Sequence, residues 1–274
     1  MSIPQAIVLA GNGTNCEIET AHACRLGGFE KVDIVAIWEL LNGDTTLDAY
    51  DFLVLPGGFL DGDDLGSGKA QANRILYSAD KKSGQPLIEQ CTRFIRGEKL
   101  ILGICNGFQL MIKLGLVPAL DNQYAVQQAT LASNDSGKFE DRWVQLKVNP
   151  ASPCVFTRGL NTIYLPIRHG EGKFIARDRQ LLDKIRSSNQ ATMFYLNQQT
   201  MQPTLDYPDN PNGSQAAIAG ICDPTGRLFG LMPHPEAYNN RTNHPRWTRE
   251  NVPEEGAGIA LFRNAFEYLK SKAR

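Results

Sequence analysis

The sequence predicts an α/β fold, a three-layer αβα sandwich around a mostly parallel sheet, with a β-rich second half. Two observations carry that prediction. Through the first 120 residues, short apolar runs alternate with helix-like stretches, the rhythm of strands joined by crossover helices. Beyond them, several apolar runs of strand length follow, and the chain closes on an amphipathic helix. With 274 residues, 42% of them hydrophobic, the chain can bury a full core. No shift in composition marks a boundary, so a single domain over 1–274 is expected.

In chain order, Ala6 to Leu9 is the first strand and Glu17 to Leu26 the first helix. Val32 to Trp38 and Phe52 to Leu55 read as the next strands. Leu87, Ile88, Cys91, Phe94 and Ile95 fall on one face of a helix, and Leu100 to Ile104 is a fourth strand. In the second half, strands are expected at Val144 to Val148, Ile163 to Ile167, Ala216 to Ile221 and Leu228 to Met232. The last helix runs from Gly258 to Lys272, with Phe262, Ala265, Phe266 and Leu269 as its buried stripe. Two polar loops, 198–215 and 237–256, are long enough to suggest that they cover a site or a partner.

Charge excludes one class of partner. The chain has 28 Lys and Arg against 29 Asp and Glu, a net charge of -1, and no basic cluster to hold a phosphate backbone, so nucleic acid is not expected. No segment approaches the roughly 20 apolar residues needed to span a bilayer, and the N-terminal apolar run Ala6 to Ala10 is too short for a signal peptide. A cytoplasmic protein without membrane contact is expected. The six cysteines, at 16, 24, 91, 105, 154 and 222, are sparse and include no C-x-x-C pair, so free thiols are the default.

The most informative stretch is LGICNGFQLM, where a strand runs into Gly103-Ile104-Cys105-Asn106-Gly107 and then a helix. This is G-x-C-x-G with the spacing of a nucleophile elbow, a strained turn that lifts a nucleophile out of a sheet onto a helix N-terminus. There the helix favours a thiolate at Cys105 and leaves the Asn106 N–H free for an oxyanion. A nucleophilic thiol needs a base, and the base an orienter. His234 follows the strand run Leu228 to Met232, and Glu236 lies two residues on across Pro235, able to hold its imidazole. Pro56-Gly57-Gly58 empties a third strand into glycines and suits the second oxyanion donor.

Other motifs carry less. Gly66-Ser67-Gly68-Lys69 fails the phosphate-loop pattern at Asp63 and Ala70, and GNGTNC fails G-x-G-x-x-G at Cys16. His169, near Glu171, has no third ligand for a metal, and no metal is expected. His22 and His244 are weak candidates, and the cysteines other than Cys105 read as structural or incidental.

With these residues in place, the sequence resembles the class I (triad) glutamine amidotransferases. The motifs are LPGGF at 55–59 with GDD at 62–64, LGICNGFQLM at 102–111, NDSGKFEDRW at 134–143, RHGEGKF at 168–174, YPDNPNGS at 207–214 and GLMPHPE at 230–236. C-x-x-x-Q with His-Pro-Glu points to the class. NDSGKFEDRW and HGEGKF point, within it, to the glutaminase subunits of purine biosynthesis. The resemblance implies a flavodoxin-like fold in which Cys105 attacks the carboxamide of L-glutamine, His234 shuttles the proton and Glu236 orients His234. It further implies that Gly57, Gly58, Asn106 and Gln109 bind substrate, the N–H groups of Gly58 and Asn106 holding the oxyanion. No cofactor is implied in this chain. ATP and Mg belong on an ATP-dependent synthetase subunit, the implied partner, which uses the ammonia to convert formylglycinamide ribonucleotide to formylglycinamidine ribonucleotide. FLDGDDLGSGKAQAN departs from the family's small subunits, and NDSGKFEDRW is similar to the fused, large-type enzyme. The alternatives are a free-standing cysteine amidase or γ-glutamyl hydrolase, or a non-catalytic regulatory subunit on the same fold.

Overall fold

In the computed structural model, which describes residues 3–272, β1 (Gln5–Ala10) is an interior strand of a parallel array. It leads through α1 (Glu17–Gly27) to β2 (Lys31–Ala36), α2 (Ile37–Asn42) and β3 (Phe52–Leu55). Next come α3 (Lys69–Tyr77), α4 (Leu87–Arg96), β4 (Leu100–Ile104) and α5 (Asn106–Lys113). The second half adds β5 (Ala129–Ser133), β6 (Glu140–Val148), β7 (Thr162–His169), β8 (Glu171–Ala176), α6 (Arg179–Ser187) and β9 (Ala191–Tyr195). β10 (Ile218–Cys222), β11 (Leu228–Leu231) and α7 (Ile259–Lys272) complete it.

The main sheet runs β2-β1-β3-β4-β11-β10-β9-β6-β7, and β5 pairs with β8 in a separate ribbon. Pairing is parallel from β2 to β11 and antiparallel from β11 to β7, so the sheet is mixed, its β-rich half supplying the antiparallel wing.

The two faces follow from the period of two along each strand. On β3, Leu53 and Leu55 meet Ile75 of α3 and Leu87 and Cys91 of α4. Phe52 points the other way, into a column of rings: Phe29–Phe52 at 5.2 Å, Phe52–Phe156 at 5.9 Å and Phe156–Phe229 at 5.8 Å between centroids. Phe266 of α7 closes the column on Phe29 at 5.3 Å. On β11, Phe229 joins that column while the neighbouring Gly230 faces Phe108 of α5. Thus α1 and α7 cover one face and α3, α4 and α5 the other.

The strand read from Val144 begins at Glu140 and that read as Ile163 to Ile167 spans Thr162–His169, and two other boundary shifts have local reasons. The strand read from Val32 to Trp38 ends at Ala36, whose N–H donates to Glu39 Oε1 at 2.8 Å and thereby starts α2. The strand read from Ala216 begins at Ile218, because Ala216 and Ala217 hold positive φ in a tight turn. Among the described residues no helix is long and apolar enough to cross a membrane.

β3, β4 and β11 are adjacent and parallel, so their C-terminal ends share one edge. That edge carries Gly57-Gly58, Cys105 and His234. The end of β7 reaches the same place, where Pro166 O accepts the His234 N–H at 2.8 Å.

Candidate active site

Cys105 sits between β4 and α5 with φ 50° and ψ -105°, a conformation that costs an L-residue of order 1–3 kcal/mol. The turn is held from below by the Cys105 N–H, which donates to Leu231 O of β11 at 2.8 Å. The strained turn expected at G-x-C-x-G is present with its strain on Cys105 itself, and the flanking glycines serve close packing. Neither has positive φ, but a Cβ on Gly107 would overlap the carbonyl of Leu55, and one on Gly103 would press on Gly107 and Met111. They let α5 lie directly on β3 and β4, which fixes the start of the helix under the thiol. Cys105 is buried and its thiol faces the carbonyl of Arg168 at 3.6 Å.

His234 Nδ1 and Glu236 Oε1 are 2.6 Å apart, both side chains buried. Nε2 has no protein hydrogen bond, and Cys105 is a neighbour of the ring. The structure therefore brings Cys105, His234 and Glu236 together in the order expected. Burial alone would depress the imidazole. The charge of Glu236 above all, with Cys105 and Cys16 beside the ring, outweighs it and holds His234 well above the usual histidine range. The interactions therefore favour a protonated His234 beside Cys105.

The N–H groups of the two expected oxyanion donors are left without backbone partners. Asn106 is the first residue of α5, so its N–H has no partner within the helix. Gly58 lies opposite Thr14 in an antiparallel bridge whose hydrogen bonds are Phe59 N–H to Gly13 O, 2.8 Å, and Asn15 N–H to Gly57 O, 3.4 Å. Gly58 and Thr14 are thus a non-hydrogen-bonded pair, and the Gly58 N–H is left outside the bridge. Gly57 is needed for space, since a Cβ there would stand 2.9 Å from His234 Cε1 and 3.3 Å from Cys16 Sγ.

Side chains expected to meet substrate are engaged within the protein. Gln109 Oε1 accepts from Asn106 Nδ2 at 2.8 Å, and Gln109 Nε2 donates to Glu171 O. Asn106 Oδ1 accepts the Leu60 N–H at 3.0 Å, and its amide also reaches Asp63 at 3.1 Å. This network ties the 60–68 segment to α5. Its Ser67 and Gly68 N–H groups point at Glu171 and Asp63 carboxylates, 3.3 and 3.2 Å away. The amides that a phosphate loop would offer to a nucleotide are here occupied by the protein's own carboxylates.

Behind the thiol lies a polar layer that the sequence did not reveal. Asn134 Oδ1 faces His169 Nδ1 at 3.1 Å and accepts the Gly172 N–H, while its amide donates to Lys138 O and His169 O. That pattern makes His169 Nδ1 the donor. Burial, and secondarily the charge of His234, push His169 down to about 3, so its ring is neutral. Asn212 donates to the Tyr195 hydroxyl at 3.0 Å, and Ser214 bonds Asn212 and Phe174. The NDSGKFEDRW and YPDNPNGS motifs therefore meet as one buried network flanking β7 and β8. His244, a weak candidate in sequence, is packed among the rings of Trp143, Tyr164 and Tyr238.

The largest departure from the sequence reading is Cys16. Expected to be structural or incidental, it places Sγ beside His234, and the ligand atoms of Cys16, His234 and Glu236 all lie within 4.8 Å of one another. Nδ1 of His234 is engaged by Glu236, while the Cys16 thiol donates to Asn15 Oδ1.

The CobB/CobQ-like glutamine amidotransferase domain matches residues 3–269. The phosphoribosylformylglycinamidine synthase subunit PurQ of Dehalococcoides mccartyi is 41% identical over 270 residues, 98% of this chain and 99% of that one. The protein of the same name from Methanococcus maripaludis is 40% identical over 277 residues, 97% of this chain and 98% of its own. Among solved structures, a chain of PurLQS from Thermotoga maritima superposes with a TM-score of 0.70 at 29% identity, covering 98% of this chain and all of that one.

Proposed function

The chain belongs to the CobB/CobQ-like glutamine amidotransferase family, and on that premise we propose that it is a glutaminase subunit supplying ammonia for phosphoribosylformylglycinamidine synthesis, with Cys105, His234 and Glu236 as its catalytic triad. The observation that carries the reading is a strained thiol at a helix start that shares one buried imidazole with a carboxylate.

The Cys105 thiolate attacks the side-chain carboxamide carbon of L-glutamine, and the carbonyl oxygen takes up the negative charge between the N–H groups of Gly58 and Asn106. Protonated His234 gives its proton to the departing nitrogen, and ammonia leaves a γ-glutamyl thioester on Cys105. His234 then takes a proton from water as the water attacks the thioester. Glutamate departs, and the thiolate and imidazolium are restored. Glu236 keeps Nδ1 protonated and aims Nε2 at the reacting atoms. The Gln109 side chain, bonded to Asn106 and Glu171, shapes the floor of the glutamine pocket.

ATP and Mg act on the partner, an ATP-dependent synthetase subunit that consumes the ammonia. Relatives named as PurQ subunits and the likeness to a PurLQS chain support such a partner. The 198–215 and 237–256 loops, with exposed Leu205, Tyr207 and Trp247, are the proposed contact surface.

The test measures glutamate release from glutamine by the chain alone, then with a synthetase subunit, ATP and formylglycinamide ribonucleotide. Activity should rise with the partner and vanish in Cys105→Ala, while ammonia-driven synthesis by the complex persists. Glu236→Gln should lower kcat by about 100-fold or more, because the imidazole loses its tautomer and its charge partner. Equal turnover with and without partner would instead support a free-standing amidase, and a silent wild-type complex would support a regulatory subunit.

A further inference from the structure

Two thiols, not one, approach the same buried imidazole. Cys105 reaches it from the β4–α5 turn, and Cys16 reaches it from the start of α1, where it occupies the N-cap position with φ -110° and ψ 13°. The Cys16 S–H points at Asn15 Oδ1, 3.2 Å away, which leaves the sulfur lone pairs for its other neighbours. Those neighbours are His234 and Glu236, whose ligating atoms lie within 4.8 Å of Cys16 Sγ. Gly57 shows how closely the group is packed, since a single methyl there would crowd the Cε1 edge of His234 and the sulfur of Cys16 together. The bridge between Thr14 and Gly58 locks the two loops that bring them into contact.

We propose that Cys16 is a positioning residue for His234: its protonated thiol presents sulfur as a soft acceptor to the imidazole edge, fixing the ring between Glu236 and Cys105 and favouring the imidazolium. The inference rests on the triad reading above. Thiol chemistry suits the place. A carboxylate there would compete with Glu236 for the proton. A hydroxyl would be a stronger donor beside the buried Glu236 carboxylate, one of whose oxygens, Oε2, has no partner.

Cys16 must remain neutral for this, and its surroundings see to it. Burial pushes its thiol up; the contact to His234 pulls the other way, while the charges of Glu236 and Glu19 add to the rise. The groups facing His234 are Glu236 from its own segment, Cys105 from the elbow, Cys16 from α1 and neutral His169 from β7. Only Cys105 combines this contact with a helix start and a backbone turned out of the sheet, which gives Cys105 the nucleophile's place and Cys16 the orienting one.

The experiment uses the full chain with its synthetase subunit and compares wild type, Cys16→Ala and Cys16→Ser. For Cys16→Ala, kcat should fall about tenfold with the glutamine KM changed by less than about twofold. The alkaline limb of the kcat profile should move down by roughly half a pH unit, the size expected for losing one weak acceptor to the imidazolium. Cys16→Ser should lie between the two. Alkylation by iodoacetamide gives a readout without turnover. In Cys16→Ala, labelling of Cys105 should require higher pH, because a less stable imidazolium supports the thiolate less. Wild-type kcat with unmoved profiles would overturn the proposal. So would a loss that is equal at every pH and tracks a lowered melting temperature, which is what mere packing would give. Cys105→Ala in the same assay separates the two readings, since activity surviving there would overturn the triad itself.

Discussion

Replacing Cys105 by glycine and by alanine should produce opposite results from those at an ordinary site. Both changes remove the thiol, but alanine keeps the Cβ that makes φ 50° and ψ -105° costly, and glycine does not. Release of that strain favours glycine by about 1–3 kcal/mol. Against it stands the entropy of an unfolded glycine, about 0.5–1 kcal/mol. Glycine also suits an N-cap better than alanine, so a control is needed at a relaxed N-cap. Cys16 provides it, with φ -110° and no side-chain capping bond. There the capping and entropy effects nearly cancel, and the glycine and alanine variants should be about equally stable. At position 105 the glycine variant should exceed the alanine variant by about 2 kcal/mol, roughly 4–8 °C in melting temperature for a chain of this size. Urea midpoints and calorimetry on the four variants give the double difference. A difference at 105 no larger than that at 16 would show that the elbow carries no strain, and the account of how the thiol is raised out of the sheet would fail.

Two further perturbations follow from the same geometry. His169 is pushed down to about 3 in the folded protein, so between about 6.5 and 3 the unfolded chain binds the extra proton. The stability it confers is present above 6.5 and lost as pH falls. His169→Gln should therefore lose about 2 kcal/mol less than wild type between pH 6.5 and 5, read from urea melts at the two pH values, and parallel losses would refute this. Gly107→Ala should destabilise by about 3 kcal/mol or more, because the added Cβ would overlap the Leu55 backbone, which cannot swing aside as a side chain does, whereas Gly170→Ala, with only Phe139 at 3.8 Å, should change the urea midpoint little. Equal effects at the two glycines would contradict the close approach of α5 to β3.

The parts of the fold that were legible in sequence are those with a dense apolar signal. β1, β3, β4 and β11 have fully or largely buried runs, and α4 has a clean stripe of Leu87, Cys91, Phe94 and Ile95. β8, Glu171–Ala176, and α6, where Leu181 and Ile185 are the buried residues, show too few apolar positions to rise above their polar neighbours. The site divides along the same physical line. His234 and Glu236 are two residues apart, and the spacing around Cys105 is local, so both could be read directly. The Cys16 contact depends on a loop crossing and has no local spacing to betray it. Yet a general rule places it. β1 is parallel to β3 and adjacent to it, so the residues leaving β1 must emerge at the same edge as Pro56-Gly57-Gly58. A polar or nucleophilic residue just beyond any strand of the parallel array is therefore a candidate for the site, whatever its distance along the chain. By that argument Asn15 and Cys16 were open to selection from the outset. What the sequence lacked was the bridge of Thr14 to Gly58, which turns a shared edge into a contact.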